Sequence, residues 1–579
     1  MENSIIDYIV IFAYLILISS IGVIFKSFNK NSSDYFRGGA QTTWWLLGSS
    51  IWISAVSAAV FTGSAGAVFE SGLPPLASNW AIIGAGFILA LFLAGWFRQL
   101  RLITSIEVMR ERFGVFTEQI FAYLQLLSSP FYAAFHFFGL AIFVSAVFGF
   151  NMQLTIIGLA CVIAFYSVSS GKWGVMAADF LQSLILIPVS ILVAVLAVMR
   201  IGGIGEFVQQ SSDAGLLDIV KSAGTFSDNR YTLGWIVAVF IMGFFSQLQL
   251  NWSARFFAAK DGREAKKAAW LMVFLFIGGT VLFTVPPMVA RLLFSGEVAE
   301  VGALLNKPAE ASYVVACQQL LPRGLIGLII VAMFSATTST MDTGINAVAA
   351  VIVRNIIPPI RRLLKKGELS DRGGLFAGRI AALGLIIYIT AIALYFSYQE
   401  GKGIFEMLLG FASQVGFPIM LPTFLALFFK KAPRCSALIS VAGGLILPRI
   451  LIPVLSQIDG FMMNFQMKVL IVGVSGTVGF FLSYFFRHTD NEAVRQQITA
   501  FYTRMHTPVD FAKEVGAGND RQQMLVVGRL ALLVAVLMLG LIFIPNPLWA
   551  RGCILALSAS VGSVGGLLLW GAKKNKNAS

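Results

Sequence analysis

Apolar runs of 20 or more residues recur from one end of this chain to the other, separated by short polar segments. A helix needs about 20 apolar residues to cross the hydrocarbon of a bilayer. The runs fall near 5–26, 43–71, 76–99, 119–149, 152–170, 173–200, 233–257, 268–295, 323–353, 377–398, 403–429, 434–456, 467–486, 523–544 and 549–571. The pattern predicts an all-α integral membrane protein with about fifteen transmembrane helices. Ile5–Phe25 lacks a basic leader and a small-residue cleavage site, so it reads as a retained helix. Basic residues gather in alternate connections. They include Arg101, Arg110 and Arg112; Lys260, Arg263, Lys266 and Lys267; Arg361, Arg362, Lys365 and Lys366; and Lys573, Lys574 and Lys576. The intervening connections are poor in basic residues, and the two long ones carry Glu206, Asp213 and Asp218, then Glu297, Glu300 and Glu310. The positive-inside bias then puts the N-terminus outside and the C-terminus in the cytoplasm of a cell (plasma or inner) membrane. The polar segment 487–522 should be a cytoplasmic surface helix followed by a loop.

Polar residues inside the apolar runs carry more information than the runs. Ser335-Ala336-Thr337-Thr338-Ser339-Thr340-Met341-Asp342 interrupts the ninth run. Hydrocarbon cannot satisfy so many hydroxyls, so they must meet protein, water or an ion. Ala332, Ser335, Ser339 and Asp342 recur at helical spacing and share one face. A stripe of hard oxygen ligands suits a small hard cation such as sodium. The structural alternative is that the hydroxyls bond back to their own helix carbonyls. The second run contains Gly48-Ser49-Ser50 and Ser54-Ala55-Val56-Ser57, and the seventh contains Ser246-Gln247-Leu248-Gln249-Leu250-Asn251. Both compositions permit a broken helix. The two runs lie five apart, so units of five helices starting at each would enter the membrane from opposite sides, an inverted repeat. This reading divides the chain into an N-terminal helix and loop (1–42), a first repeat (43–232), a second repeat (233–432), peripheral spans (433–486), a linker (487–522) and two C-terminal spans with a basic tail (523–579).

Composition agrees. Of 579 residues, 57% are hydrophobic and 12% charged, against about 25% charged in a soluble domain. The net charge of +14 sits in alternate loops, which suits anionic lipid headgroups and not nucleic acid. Cys161, Cys317, Cys435 and Cys553 are too scattered for a disulfide framework or a metal site.

Several segments together resemble the sodium:solute symporter family, which includes sodium/sugar cotransporters. They are Asp34-Tyr35-Phe36-Arg37-Gly38-Gly39 with Trp44-Trp45, Thr104-Ser105-Ile106-Glu107 closing on Arg112-Phe113-Gly114, and Asp179-Phe180-Leu181-Gln182. Arg255-Phe256-Phe257-Ala258-Ala259-Lys260 and the Ser/Thr run complete the set. The resemblance implies a LeuT-like fold that works by alternating access, with sodium as the coupling ion. It implies a sodium site from the carbonyls of Ile53, Val56 and Ala332 and the hydroxyl of Ser335. A further hydroxyl position in that pattern is Ala336 here, so one ligand is missing. It implies a second sodium site at Asp179, Thr338 and Ser339. Asp179 stands alone early in a long apolar run, so on physical grounds it should hold a cation or a proton.

Candidate solute contacts are Ser57, Asn79, Trp80, His136, Phe245, Gln247, Gln249 and Gln414, with Phe61 and Phe405 as gates. Amides and hydroxyls flanked by aromatics suit a small neutral polyhydroxylated solute, a sugar or polyol. An amino acid, an organic acid or proton coupling remain alternatives. Where sugar-carrying members have polar contacts, this chain aligns Val60, Met242 and Phe276. A membrane enzyme would need a catalytic constellation, and His136, His488 and His506 have no partner evident in sequence. A membrane sensor would need a signalling domain, and none follows the last span. A channel is disfavoured because paired broken helices point to occlusion.

Overall fold

The computed structural model describes residues 38–576 except 168–171, 323, 368, 400, 459–462 and 517, together with Ile11, Phe12 and Ile16. The first expected span, 5–26, and the Asp34–Arg37 segment therefore lie outside the described residues, apart from those three positions. Among the described residues the chain is helical throughout, with one isolated parallel bridge between Thr42 and Ala259.

Among the described residues eleven helices are long and apolar enough to cross a membrane, and Met152–Ala164 and Leu233–Leu248 are shorter apolar helices. The second expected span adds an interrupted helix, Trp44–Ile53 followed by Val60–Ser71. The expected boundaries shift at several places. The Ser/Thr helix begins at Leu325 and continues through a π-helical turn at Ile352–Ile356 to Leu363. Apolar periodicity ends earlier, at Val353, because Arg354 and Asn355 bring polar groups into the continuing helix. The helix holding Pro130 runs unbroken from Val115 to Phe148.

Outward-pointing side chains fit a lipid environment. Phe274, Ile387 and Val536 are 65%, 71% and 64% exposed, as apolar surface is when its solvent is hydrocarbon. The Ser/Thr helix lies at the opposite extreme. Ser335, Thr337, Thr338, Ser339 and Asp342 are all buried. It packs against the Pro130 helix and the Asp179 helix, Lys172–Arg200. The segment 487–522 forms the expected surface helix, Glu492–His506, whose Phe501, Tyr502 and Met505 are buried. Arg112 anchors it by donating to the Tyr502 hydroxyl at 2.9 Å and to the Ala432 carbonyl at 2.9 Å.

Both suspected interruptions are present. The second span leaves helical geometry at Ser54–Ser57. The seventh ends at Leu248, is extended at Gln249 (φ −76, ψ 156), and resumes as a short 3-10 turn at Leu250–Trp252. Unwinding frees backbone groups from the helix ladder, and buried ones need other partners.

Candidate functional site

Those partners come mainly from the Ser/Thr helix. The backbone N–H of Ala58, first residue after the break, donates to Thr337 Oγ1 at 2.9 Å. Thr340 Oγ1 donates to the Ser54 carbonyl at 2.9 Å and to its own Ala336 carbonyl at 3.0 Å. Ser54 Oγ and Ser339 Oγ stand 3.5 Å apart. The hydroxyl run thus stitches both lips of the break. The sequence reading gives Ser339 a ligand role and counts Thr337 and Thr340 only among the hydroxyls of the run. Their spacing was visible; which side of the helix would meet the break was not.

Ile53 and Val56 flank the interruption, and Ala332 and Ser335 lie in the facing helix; all four are buried. Ser335 Oγ donates to the Val331 carbonyl at 2.5 Å, and Thr338 Oγ1 to the carbonyls of Phe334 and Ser335. These two hydroxyls thus serve their own helix, as the structural alternative anticipates, while each keeps lone pairs that can still accept or ligate. Asp179 is 1% exposed and accepts a hydrogen bond from Ser50 Oγ in the first half of the broken helix. The carboxylate and the break are therefore joined by one residue of the same half-helix.

His136 does have a partner, contrary to its isolation in sequence. Its Nδ1 lies 2.5 Å from Ser57 Oγ, and Ser57 is the last residue of the break. Gly139, one turn along the same helix, permits this approach. A Cβ there would stand 2.8 Å from the Ala59 backbone, closer than side chains tolerate. His506 lies tilted against Trp96 with ring centroids 4.7 Å apart, and His488 Nδ1 meets the Phe485 carbonyl at 2.9 Å.

At the second interruption Gln249 is buried, and its Oε1 accepts from Thr423 Oγ1 at 3.2 Å. Gln247 is half-buried with Oε1 unsatisfied among the described residues. Phe245 stacks on Phe424 at 4.3 Å. Asn79 Nδ2 reaches Thr280 Oγ1 at 3.4 Å, and Trp80 packs on the cluster of Tyr231, Trp235 and Phe405. Gln414 is exposed on a π-helical turn, Ala412–Gly416, and among the described residues no hydrogen bond joins it to these groups. The structure thus pairs Ser57 with His136 and leaves Gln414 apart.

Phe61 is fully buried against Phe283 and Tyr313. Phe405 packs near Trp235 at the opening of the helix that starts at Ile404. The second half of the broken helix is sealed here. A Cβ on Gly66 would meet the Glu310 backbone at 3.0 Å. A charged cluster closes this end. Lys307 Nζ bridges Glu70 and Glu406, each at 2.7 Å, and Arg230 pairs with Glu406. Two acids and two bases balance. Beneath them Glu310 is 1% exposed, accepts from the Ile404 N–H at 2.6 Å, and among the described residues has Oε2 unsatisfied. Burial raises its pKa to about 8, against the pull of the Ile404 N–H and Lys307. Burial alone would lower the pKa of Lys307, but Glu406 and Glu70 outweigh it and hold the ammonium charged.

The opposite end is tied by the Arg255–Lys260 segment. The Ala258 carbonyl accepts from Thr42 N at 2.9 Å, and the Ala259 and Lys260 carbonyls accept from Arg98 at 2.5 and 3.0 Å. The segment thus ties this end through its backbone carbonyls, and the Lys260 side chain also pairs with Asp520. Thr104 and Glu107 form a capping box on the following helix, Ser105–Phe113.

Comparison with known proteins agrees with this geometry. The model of the Sodium:solute symporter family matches residues 35–444. Sodium/glucose cotransporter 1 of Ovis aries is 24% identical over 474 residues, covering 73% of this chain and 68% of the relative. A sodium/myo-inositol cotransporter of Canis lupus familiaris is 24% identical over 482 residues, covering 76% of this chain and 66% of the relative. The solved structure of a Na+-coupled sialic acid symporter, in a substrate-bound outward-open state, superposes with a TM-score of 0.68 at 20% identity. It covers 83% of this chain and 98% of that one, so the fold is LeuT-like. A family match over more than half of the chain, on a fold that sets a broken helix against a Ser/Thr helix, makes this multi-pass membrane protein a member of the sodium:solute symporter family, whose transport is sodium-coupled.

Proposed function

We propose that the chain imports a small neutral polyhydroxylated solute, a sugar or polyol, together with sodium. The observation that carries the reading is the pairing of Ser57 with His136 at the break of the first interrupted helix. This places neutral hydrogen-bonding groups, with no fixed charge, where backbone carbonyls have left the helix ladder. Gln247 and Gln249 at the second interruption add neutral amides, and Phe245 adds an aromatic face. Relatives that carry glucose and myo-inositol support the same class.

Sodium binds at the carbonyls of Ile53, Val56 and Ala332 with the Ser335 hydroxyl, and at Asp179 with Thr338 and Ser339. Supporting the first is the facing of break and Ser/Thr helix; supporting the second is the Ser50 link from the half-helix to Asp179. Residues 43–232 and 233–432 act as inverted repeats, in keeping with an interruption at the start of each. The basic end, with Arg101 and Lys260, faces the cytoplasm, and the Glu310 end faces outside. Closing of the Lys307 cluster and opening at the basic end are then the two halves of alternating access. Catalysis has no part in this cycle.

Ala336, lacking a hydroxyl, favours a second reading in which Asp179 couples protons in place of sodium. Thermal stability of the purified protein in detergent separates the two. Sodium should raise the melting temperature at constant pH and potassium should not. A sugar or polyol should add to that rise only with sodium present. Stabilisation by the solute without sodium, but dependent on pH, would favour the proton reading.

A further inference from the structure

The two last helices, Asp520–Gly540 and Leu548–Lys576, lie beyond the residues that match the family. They pack on each other and on the Asp179 helix. One buried residue reaches from them into the interrupted helix. Gln523 is 1% exposed. Its Oε1 accepts from Thr43 Oγ1 at 3.0 Å and from Thr43 N at 3.4 Å. Its Nε2 donates to the Gln41 carbonyl at 2.9 Å and to Asn519 Oδ1 at 2.5 Å. Both ends of the amide are thereby used, which fixes its orientation.

Thr43 is the N-cap residue of Trp44–Ile53, yet its hydroxyl does not cap that helix. An N-cap threonine ordinarily accepts from its own helix N–H groups; this one donates to Gln523. The neighbouring contacts converge on the same point. Trp44 N donates to Glu264 Oε2 at 3.0 Å, and Lys260 pairs with Asp520, one turn before Gln523. The base of the half-helix is thus held by this hairpin and by Glu264.

We propose that the C-terminal hairpin is a latch on the first half of the interrupted helix, and that Gln523 is the positioning residue that sets how often this half-helix swings to open the cytoplasmic side. The inference rests on the alternating-access reading above. The half-helix carries Ser50, which bonds Asp179, and Ile53 at the lip of the break. Any tilt that opens its cytoplasmic end must stretch three hydrogen bonds to one buried amide. Releasing them shifts the population of the inward-open state by roughly tenfold.

The test needs neither solute nor a gradient, so it stands or falls apart from the identity of the solute. Cys161, Cys317, Cys435 and Cys553 are replaced, and Ala336→Cys places a buried thiol on the Ser/Thr helix, which packs against the half-helix. The full-length chain is labelled from the cytoplasmic side of inside-out vesicles without sodium. Gln523→Leu should raise the labelling rate roughly tenfold. Thr43→Val, which keeps the shape but loses one of the three bonds, should raise the rate in the same direction by less, and the double variant should go no further than Gln523→Leu. Thr43→Ser should behave as the parent. In chains that keep Ala336, apparent sodium affinity measured from outside should fall with the outward-facing fraction, without an equal fall in maximal rate. Unchanged labelling in Thr43→Val, with native elution on gel filtration, would overturn the latch. So would additive effects in the double variant.

Discussion

Thr337 Oγ1 accepts the backbone N–H of Ala58 at 2.9 Å, so the second half of a broken helix begins on a side chain of another helix. Both groups are buried. Thr337→Val keeps the volume and strands that N–H, which costs about 1–3 kcal/mol. A fall in melting temperature with reduced transport is expected, and Thr337→Ser should restore both. A Val variant as stable and active as the parent would mean the bond contributes nothing to the break.

Asp179 accepts from Ser50 and lies on the helix that packs against the Ser/Thr helix. Replacing it by Asn removes the charge and keeps the shape. The sodium concentration for half-maximal transport should rise by about tenfold or more, the scale expected when a charged ligand is lost. Unaltered sodium dependence in Asp179→Asn would remove the carboxylate from the ligand set.

Ser57 and His136 should act as a pair on the solute. Ser57→Ala and His136→Gln should each raise KM for the solute, and the double variant should fall short of the sum, as groups in contact do. Sodium-dependent stabilisation without solute should persist. Equal loss of sodium response would reassign the pair to maintenance of the break.

The closed outer cluster predicts a pH dependence with a definite sign. Glu310 binds its proton in the closed state up to about pH 8, whereas a solvated carboxyl releases it near 4.5. The closed state therefore gains most at or below the lower value, and loses that advantage as pH rises through the window to about 8. Glu70, Glu406, Lys307 and Arg230 face the same cluster, so the comparison with Glu310→Gln isolates the one carboxyl. Leu409 packs against the Phe405 cluster. Labelling of Leu409→Cys from outside, with each rate divided by the thiolate fraction, should quicken as pH rises in the parent, by no more than about tenfold per pH unit. Glu310→Gln should flatten the profile. A slope of the opposite sign would place the proton in the open state.

Much of this was legible in sequence, because a bilayer leaves few choices. Long apolar runs must be helices, and the polar interruptions at Ser54–Ser57 and Gln249 mark where helices cannot continue undisturbed. The Ser/Thr run also announced itself, since hydrocarbon does not tolerate it. Partnership was not legible. Ser57 and His136 lie 79 residues apart, Gln523 and Thr43 lie 480 apart, and periodicity says nothing of which helix crosses which. Glu406 shows the same limit. Its place near the start of an apolar run fits a solvated helix start or a carboxylate that attracts cations, and nothing in the sequence names Lys307 and Arg230, which reach it from two distant connections. Thr337 has no assigned role in the sequence reading, because helical spacing gives a face but not the direction from which a broken neighbour approaches.

Uptake into proteoliposomes under an imposed sodium gradient tests the central claim most directly. The panel should contain sugars, polyols, sugar acids and amino acids, with proton-gradient controls. Accumulation of a neutral sugar or polyol, abolished when potassium replaces sodium, is the predicted result. Accumulation driven by a proton gradient alone, or confined to charged solutes, would contradict it.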